Sequence, residues 1–240
     1  MRFDVITIFP KMLNGFFTEG ILYQAQQTKK IEIHIHDLRD FTDDFHRTVD
    51  DRPYGGGPGM VMKVEPFFRA VETINAPLSE KRRTLLLSSQ GKLFRQSDAL
   101  RLAALDGLLL LCGRYEGVDE RVLSFVDEEI SIGDYVLTGG EIAAVVLIET
   151  VARLIPGVVG RFESVEGDSF YNKAHLGPPQ YTRPRNFQGL TVPEVLLSGD
   201  HSRIETFREE QAWRKTALHR PDILGIRGYD CTEKREESNG

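Results

Sequence analysis

Apolar residues fall along the chain in short dense runs of strand length, separated by stretches of helical periodicity. Phe3 to Phe9 predicts a first strand and Phe16 to Gln27 a helix. Ile31-Glu32-Ile33-His34-Ile35-His36 alternates with period two, predicting a strand whose wet face carries His34 and His36 as exposed residues. A helix is expected over Phe67 to Ile74, a buried strand at Thr84 to Ser88, a helix at Arg95 to Leu105 and a strand at Gly107 to Cys112. Ile130 to Leu137 reads as a strand or extended segment. Thr138-Gly139-Gly140-Glu141 then opens a long helix that ends before Pro156-Gly157. Such alternation of strands and helices predicts an α/β layer with a mostly parallel sheet.

Beyond Gly157 the pattern changes. Residues 161–173 have weak periodicity and read as a mobile linker. Pro178, Pro179, Pro184 and Pro193 punctuate a loop-rich region after it, and Ser202-x-x-Glu205 reads as a capping box starting a helix that runs to about Arg220. The expected organisation is a first domain at 1–160, a linker or lid at 161–173 and a small, mainly helical domain at 174–240.

Composition narrows the function classes. The 240 residues are 40% hydrophobic and carry a formal net charge of -6, which excludes a globally basic nucleic-acid coat and makes any nucleic-acid contact local. Two distant cysteines, Cys112 and Cys231, form neither a disulfide framework nor a zinc site. The opening Met1 to Ile6 reads as no secretory signal, and the most apolar stretch, Ile142 to Ile155, contains Glu149 and Arg153 and is too short to span a bilayer. A cytoplasmic protein with no membrane partner is the expectation.

Chemistry concentrates in loops. Asp50-Asp51-Arg52-Pro53-Tyr54-Gly55-Gly56-Gly57-Pro58-Gly59-Met60 could bring its backbone close to a ligand or serve as a structural turn, and it lacks the lysine of a P-loop. Ser88-Ser89-Gln90-Gly91, Cys112-Gly113-Arg114-Tyr115-Glu116-Gly117 and Ser131 to Gly140 each follow or overlap an apolar run. Loops at the carboxyl ends of parallel strands are where α/β sheets bind ligands, so the three suggest one pocket walled by backbone groups. No G-x-G-x-x-G precedes a helix, which disfavours a nicotinamide site. Glu149 and Arg153, four apart, could equally be a helix-surface ion pair, and Asp168 by itself a solvated loop carboxylate. Arg203, Arg208, Arg214, Lys215 and Arg220, with Phe207 and Trp213, give the last helix a modest basic surface that could meet a phosphate backbone, though from charge alone a solvated face is the more ordinary reading.

Taken together, the segments Asp50 to Met60, Cys112 to Arg121 and Ser131 to Glu141 resemble the bacterial tRNA (guanine-N1) methyltransferases, members of the knotted α/β methyltransferases. The likeness extends from Ile8-Phe9-Pro10 through Val151 to Gly157 and Asp168-Ser169-Phe170 to Tyr181-Thr182-Arg183-Pro184 and Leu190 to Leu196. The resemblance implies methylation by S-adenosylmethionine of N1 of the guanosine 3′ of the anticodon, a modification that prevents frameshifting. It also implies a trefoil knot at the carboxyl-terminal end of the first domain and a homodimer with the active site at the subunit interface. The cofactor would lie on Leu86, Leu87, Ser88 and Gly91, on Gly113, Tyr115 and Glu116, and on Ile132, Gly133, Tyr135, Val136, Leu137, Gly139 and Gly140. Asp168, delivered by the linker of the partner subunit, would act as base and Arg153 stand near guanine O6, while Asp50, Arg52, Gly59, Arg183 and Arg214 would contact tRNA. Mg2+ is suggested too, with Glu116 as a candidate participant, although no ligand cluster in the sequence supports it. The chain departs from the family at Ser89 and Ala143, where proline is usual, which frees backbone torsion without removing hydrogen-bonding groups.

Two rival classes remain. A silent RNA-binding module on the same fold need not keep Arg153, Glu116 and Asp168 together. An ATP-using enzyme with Gly55 to Gly59 as a phosphate cradle would lack the usual lysine.

Overall fold

The computed structural model describes residues 1–75, 81–160, 168–171 and 175–225. Its contacts divide the chain into two units, Met1–Phe162 and Glu163–Gly240.

In the first unit β1 (Arg2–Thr7) leads into α1 (Pro10–Phe17) and α2 (Gly20–Gln27), then β2 (Glu32–Asp37). A two-stranded ribbon of β3 (Asp50–Asp51) and β4 (Val61–Met62) precedes α3 (Val64–Asn75), β5 (Arg82–Leu93), α4 (Gln96–Ala103), β6 (Gly107–Cys112), β7 (Glu128–Ser131) and α5 (Glu141–Ala152). The main sheet has the order β2-β1-β6-β5-β7 with every pairing parallel. β6 lies at its centre, and all six of its residues are buried, as an interior strand covered on both faces must be. Leu109 and Leu111 join Ile6, Leu86, Phe67, Val71 and Ile74 in a core beneath α3. By the two-residue alternation of a strand, Leu108 and Leu110 face the other way, the side on which α5 meets β1 and β6.

The structure differs from the sequence expectations in several places. The single helix expected at Phe16 to Gln27 is two helices, since the chain turns at Thr18 and Glu19 and Gly20 adopts φ +68°. The extended segment expected to reach Leu137 stops at Ser131; Tyr135 and Val136 are exposed in the loop beyond it. His36 is no free surface residue, because its Nε2 lies 2.7 Å from Oδ1 of the buried Asp4. Asp4 also accepts from Arg2 and Arg82. Burial opposes its charge, but these hydrogen bonds from His36, Arg2 and Arg82 win and hold its carboxyl far below the usual carboxylate range.

The second unit contains the hairpin β8 (Asn186–Phe187) and β9 (Leu190–Thr191) and one long helix, α6 (His201–His219). Another difference is the start of α6. Asp200, not Ser202, caps it, its carboxylate accepting from the Arg203 amide at 3.1 Å. Among the described residues, no helix is long and apolar enough to cross a membrane. Most of the linker expected at 161–173 lies outside the described residues, as does Cys231.

Candidate functional site

The irregular middle of β5 and the loops that follow β6 and β7 converge on one cavity of about 320 Å³; Ser88 to Gly91, expected as a loop, continues β5 across a break in its pairing with β7. The size suits a small-molecule site. Leu86, Leu87 and Ser88 come from β5, Gly113, Tyr115 and Glu116 from the loop after β6, and Ile132, Gly133, Tyr135, Val136, Leu137, Gly139 and Gly140 from the loop after β7. Ser89 and Ala143 also line it. Gly91 does not. Pairing between β5 and β7 shifts register between Leu87 and Lys92, and an added Cβ at Gly91 would stand 2.7 Å from the Glu129 carbonyl oxygen. Gly91 is therefore a place where two backbones meet rather than part of the wall.

Local backbone requirements fix the walls. Tyr115 sits at φ +61°, a left-handed conformation that costs a side-chain-bearing residue about 1 kcal/mol or more. Its neighbours pin it there: the Glu116 amide donates to Met60 O at 3.0 Å, and the Met62 amide donates to Gly117 O at 3.0 Å. The same bonds draw the glycine-rich loop after β3 to the cavity. Gly59, at φ +79°, lies so close to Glu116 that a Cβ there would be 2.6 Å from the Glu116 Oε1. Asp50 and the exposed Arg52 stand at the start of this loop.

The cavity is acidic, with the carboxylates of Glu116, Glu120 and Glu129 in its lining and Arg114 as the one basic residue. Arg114 is committed to Glu141, donating from Nε at 3.0 Å with a terminal guanidinium nitrogen 2.9 Å from the same carboxylate. A lining rich in glycines and glutamates suits a ligand that combines hydrogen-bonding edges with positive charge, and a cationic sulfonium cofactor fits it. A metal fares differently: among the described residues no group of three or more His, Cys, Asp or Glu side chains could hold an ion.

Arg153 closes α5 as its C-cap, half-buried, with its amide donating to Glu149 O at 3.2 Å. On α5 the buried positions are mainly Ala143 to Val145, Leu147, Ile148, Val151 and Ala152, which leaves Val146 and Glu149 exposed on the stripe that leads to Arg153. Asp168 belongs to the other unit and is exposed in a turn, its carbonyl accepting from the Tyr171 amide at 3.5 Å. That unit has its own cavity, about 380 Å³, lined by Tyr181, Arg183, Arg185 and Arg208 among others. Arg214 lies exposed on α6.

Sequence reasoning missed Glu141. It reads as an ordinary first-turn acid, yet it is fully buried, accepts a 2.7 Å hydrogen bond from Thr7 Oγ1 and carries the ion pair with Arg114. Only its place directly after two glycines, at the mouth of a loop already under suspicion, could have pointed to it.

Comparison with known proteins agrees with this geometry. The family model described as tRNA (Guanine-1)-methyltransferase TrmD matches residues 1–225. The chain is 54% identical to a tRNA (guanine-N(1)-)-methyltransferase of Dictyoglomus turgidum over 93% of its length and 90% of the relative's. It is 52% identical to one of Fervidobacterium nodosum, over 98% of the chain and 94% of the relative. With one of Carboxydothermus hydrogenoformans the figures are 51%, 98% and 91%. Matches of this length and identity mean that the chain belongs to the tRNA (guanine-1)-methyltransferase family.

Proposed function

We propose that the protein transfers the methyl group of S-adenosylmethionine to N1 of the guanosine at position 37 of tRNA, next to the anticodon on its 3′ side. It does so in the cytoplasm as a homodimer with the active site at the subunit interface. On this reading the cofactor lies in the trefoil-knotted end of the first domain, 1–160, residues 161–173 form a lid and 174–240 hold the tRNA. The observation that carries the reading is the convergence of β5 and of the loops after β6 and β7 on one cavity lined by glycines and by Glu116, Glu120 and Glu129.

Bound S-adenosylmethionine supplies an electrophilic methyl on a sulfonium, and the electrons of the broken C–S bond leave with sulfur as a neutral thioether. The backbone of Leu86 to Ser88, Gly113 to Glu116 and Ile132 to Gly140 holds and orients it, and the carboxylates of Glu116 and Glu129 favour its positive charge. Guanine N1 carries a proton at neutral pH, so a base is needed. Asp168 accepts that proton as the N1–methyl bond forms, and the negative charge pushed onto O6 is stabilised by the planar guanidinium of Arg153. Because that charge develops only as the proton leaves, the arginine favours the transition state over the ground state. Asp50 and Arg52 read the edges of the extruded guanine, with Gly59 keeping their loop against Glu116. Arg183 and Arg214 grip phosphates. Among the described residues no group of His, Cys, Asp or Glu makes a metal cage, and none of these steps runs through Mg2+.

The test is single-turnover methyl transfer to an unmodified tRNA carrying G at position 37. Asp168→Ala should slow transfer by about 10²–10⁴-fold while S-adenosylhomocysteine binds as in the wild type. An unchanged rate removes Asp168 from the chemistry. A tRNA with adenosine at that position should accept no methyl group.

A further inference from the structure

The buried ion pair beneath the cavity is unexplained by the reaction itself. Arg114 and Glu141 are 13% and 1% exposed at their side chains, and burying such a pair seldom adds net stability. Their further partners, Thr7, Phe9 and Met12, come from one short segment at the end of β1 and the start of α1. Thr7, at the end of β1, donates to Glu141 Oε1 at 2.7 Å and accepts from the Phe9 amide at 2.9 Å. The guanidinium of Arg114 stacks 4.7 Å from the centre of the Phe9 ring and reaches the Met12 sulfur at 3.3 Å. Glu141 is the first residue of α5, where the positive end of the helix also favours its charge.

The loop that forms the third wall rests directly on this pair. An added Cβ at Gly139 would stand 2.6 Å from Glu141 Oε2 and closer still to Arg114 Nε, so a side chain there would have to push the pair aside. At Gly140 a Cβ would meet the Cys112 Cα at 2.8 Å. The two loops are also tied to each other, by a bridge between Arg114 and Gly139 and by the Gly140 amide donating to Gly113 O at 3.0 Å. Both glycines, with Gly113 and Arg114, line the cavity.

We propose that Arg114 and Glu141, anchored by Thr7, are positioning residues: the pair sets the spacing between the 113–117 and 138–140 walls and thereby governs how tightly the cavity holds its cofactor. Neither group needs to touch the reacting atoms. The inference rests on the cavity being the cofactor site, and the two can fail separately.

The experiment measures S-adenosylhomocysteine binding by calorimetry, without turnover, alongside thermal unfolding. In the double variant Arg114→Met/Glu141→Leu, apolar side chains of similar volume replace both charges, so folding should survive. Affinity should nevertheless fall about tenfold, the factor that corresponds to losing a charged hydrogen bond. Thr7→Val keeps the shape of residue 7 and removes only its hydroxyl; affinity should fall by a smaller factor, and Thr7→Ser should restore it. A purely structural pair predicts the opposite: wild-type affinity in the folded double variant and in Thr7→Val. That result overturns the proposal, and if the double variant does not fold, Thr7→Val with its serine rescue decides alone. Absence of binding to the wild type would instead refute the cofactor reading and the inference with it.

Discussion

β6 and α6 are opposite kinds of element. All six residues of β6 are buried, whereas α6, nineteen residues long, buries only Ala212 and Thr216. An apolar run with neighbours on both sides has one place to go, the middle of a sheet, and its sequence says so. A helix polar nearly all round has no stripe that dictates a docking face. It is held by particular bonds: the Asp200 cap, and Thr216, whose hydroxyl donates to Ala212 O at 2.7 Å and accepts from the Leu176 amide at 2.9 Å. What the helix lacks in burial it offers as surface, which suits an element whose proposed partner is a phosphate backbone.

The contrast can be broken unit by unit, because each has its own reporter. Trp213, the single tryptophan, lies on α6, and the buried Cys112 closes β6. Burial pushes the Cys112 thiol well above its ordinary range, with Glu141 adding to the rise, so labelling it requires the sheet to open. With Cys231 replaced by serine, thiol labelling follows the first unit and tryptophan fluorescence the second.

The largest loss is expected for Asp4→Ala, about 3–5 kcal/mol in urea unfolding, because Arg82 would be left buried without its carboxylate. Since the folded Asp4 titrates below its unfolded value, its contribution is complete above the ordinary carboxylate range near pH 4 and disappears as the pH falls below it. An acid series of unfolding curves should therefore be steeper for the wild type than for the variant. Leu110→Ala, at the centre of β6, should cost about 2–5 kcal/mol and speed Cys112 labelling. In the second unit Thr216→Val should cost about 1–2 kcal/mol by stranding the Leu176 amide, read at Trp213. Asp200→Ala should cost least, about 0.5–1 kcal/mol. Equal losses across the four would mean that burial does not separate the two regions.

How much was legible follows the same division. β1 and β6 are plain from apolar runs, and the loops after β6 and β7 from the small residues in them, whereas Ser88 to Gly91, expected as a loop, lies within β5. The break between α1 and α2 is not, because a left-handed Gly20 looks in sequence like any glycine tolerated inside a helix. Val136 misled for a different reason. An apolar residue after a strand reads as more strand, but here it is exposed at the cavity, where it is free to meet a ligand. His36 and Glu141 were hidden because their partners, Asp4 and Arg114, are 32 and 27 positions away. Charge burial depends on such distant pairings, which periodicity does not encode. Asp168 and Arg153 owe their proposed roles wholly to the family likeness; alone, Arg153 is an ordinary polar residue at the end of a helix and Asp168 one exposed in a turn.

The strand order has a consequence for synthesis. β1 is held on one side by β2, close behind it, but its other neighbour, β6, pairs Arg2 with Gly107. Until residues 107–112 have left the ribosome, β1 lacks its inner neighbour for on the order of ten seconds and β5 for only about 1–4 seconds at ordinary translation rates. In that last stretch the nascent chain exposes two sticky edges with nothing between them. Chaperone demand should therefore peak before β6 emerges and fall sharply afterwards.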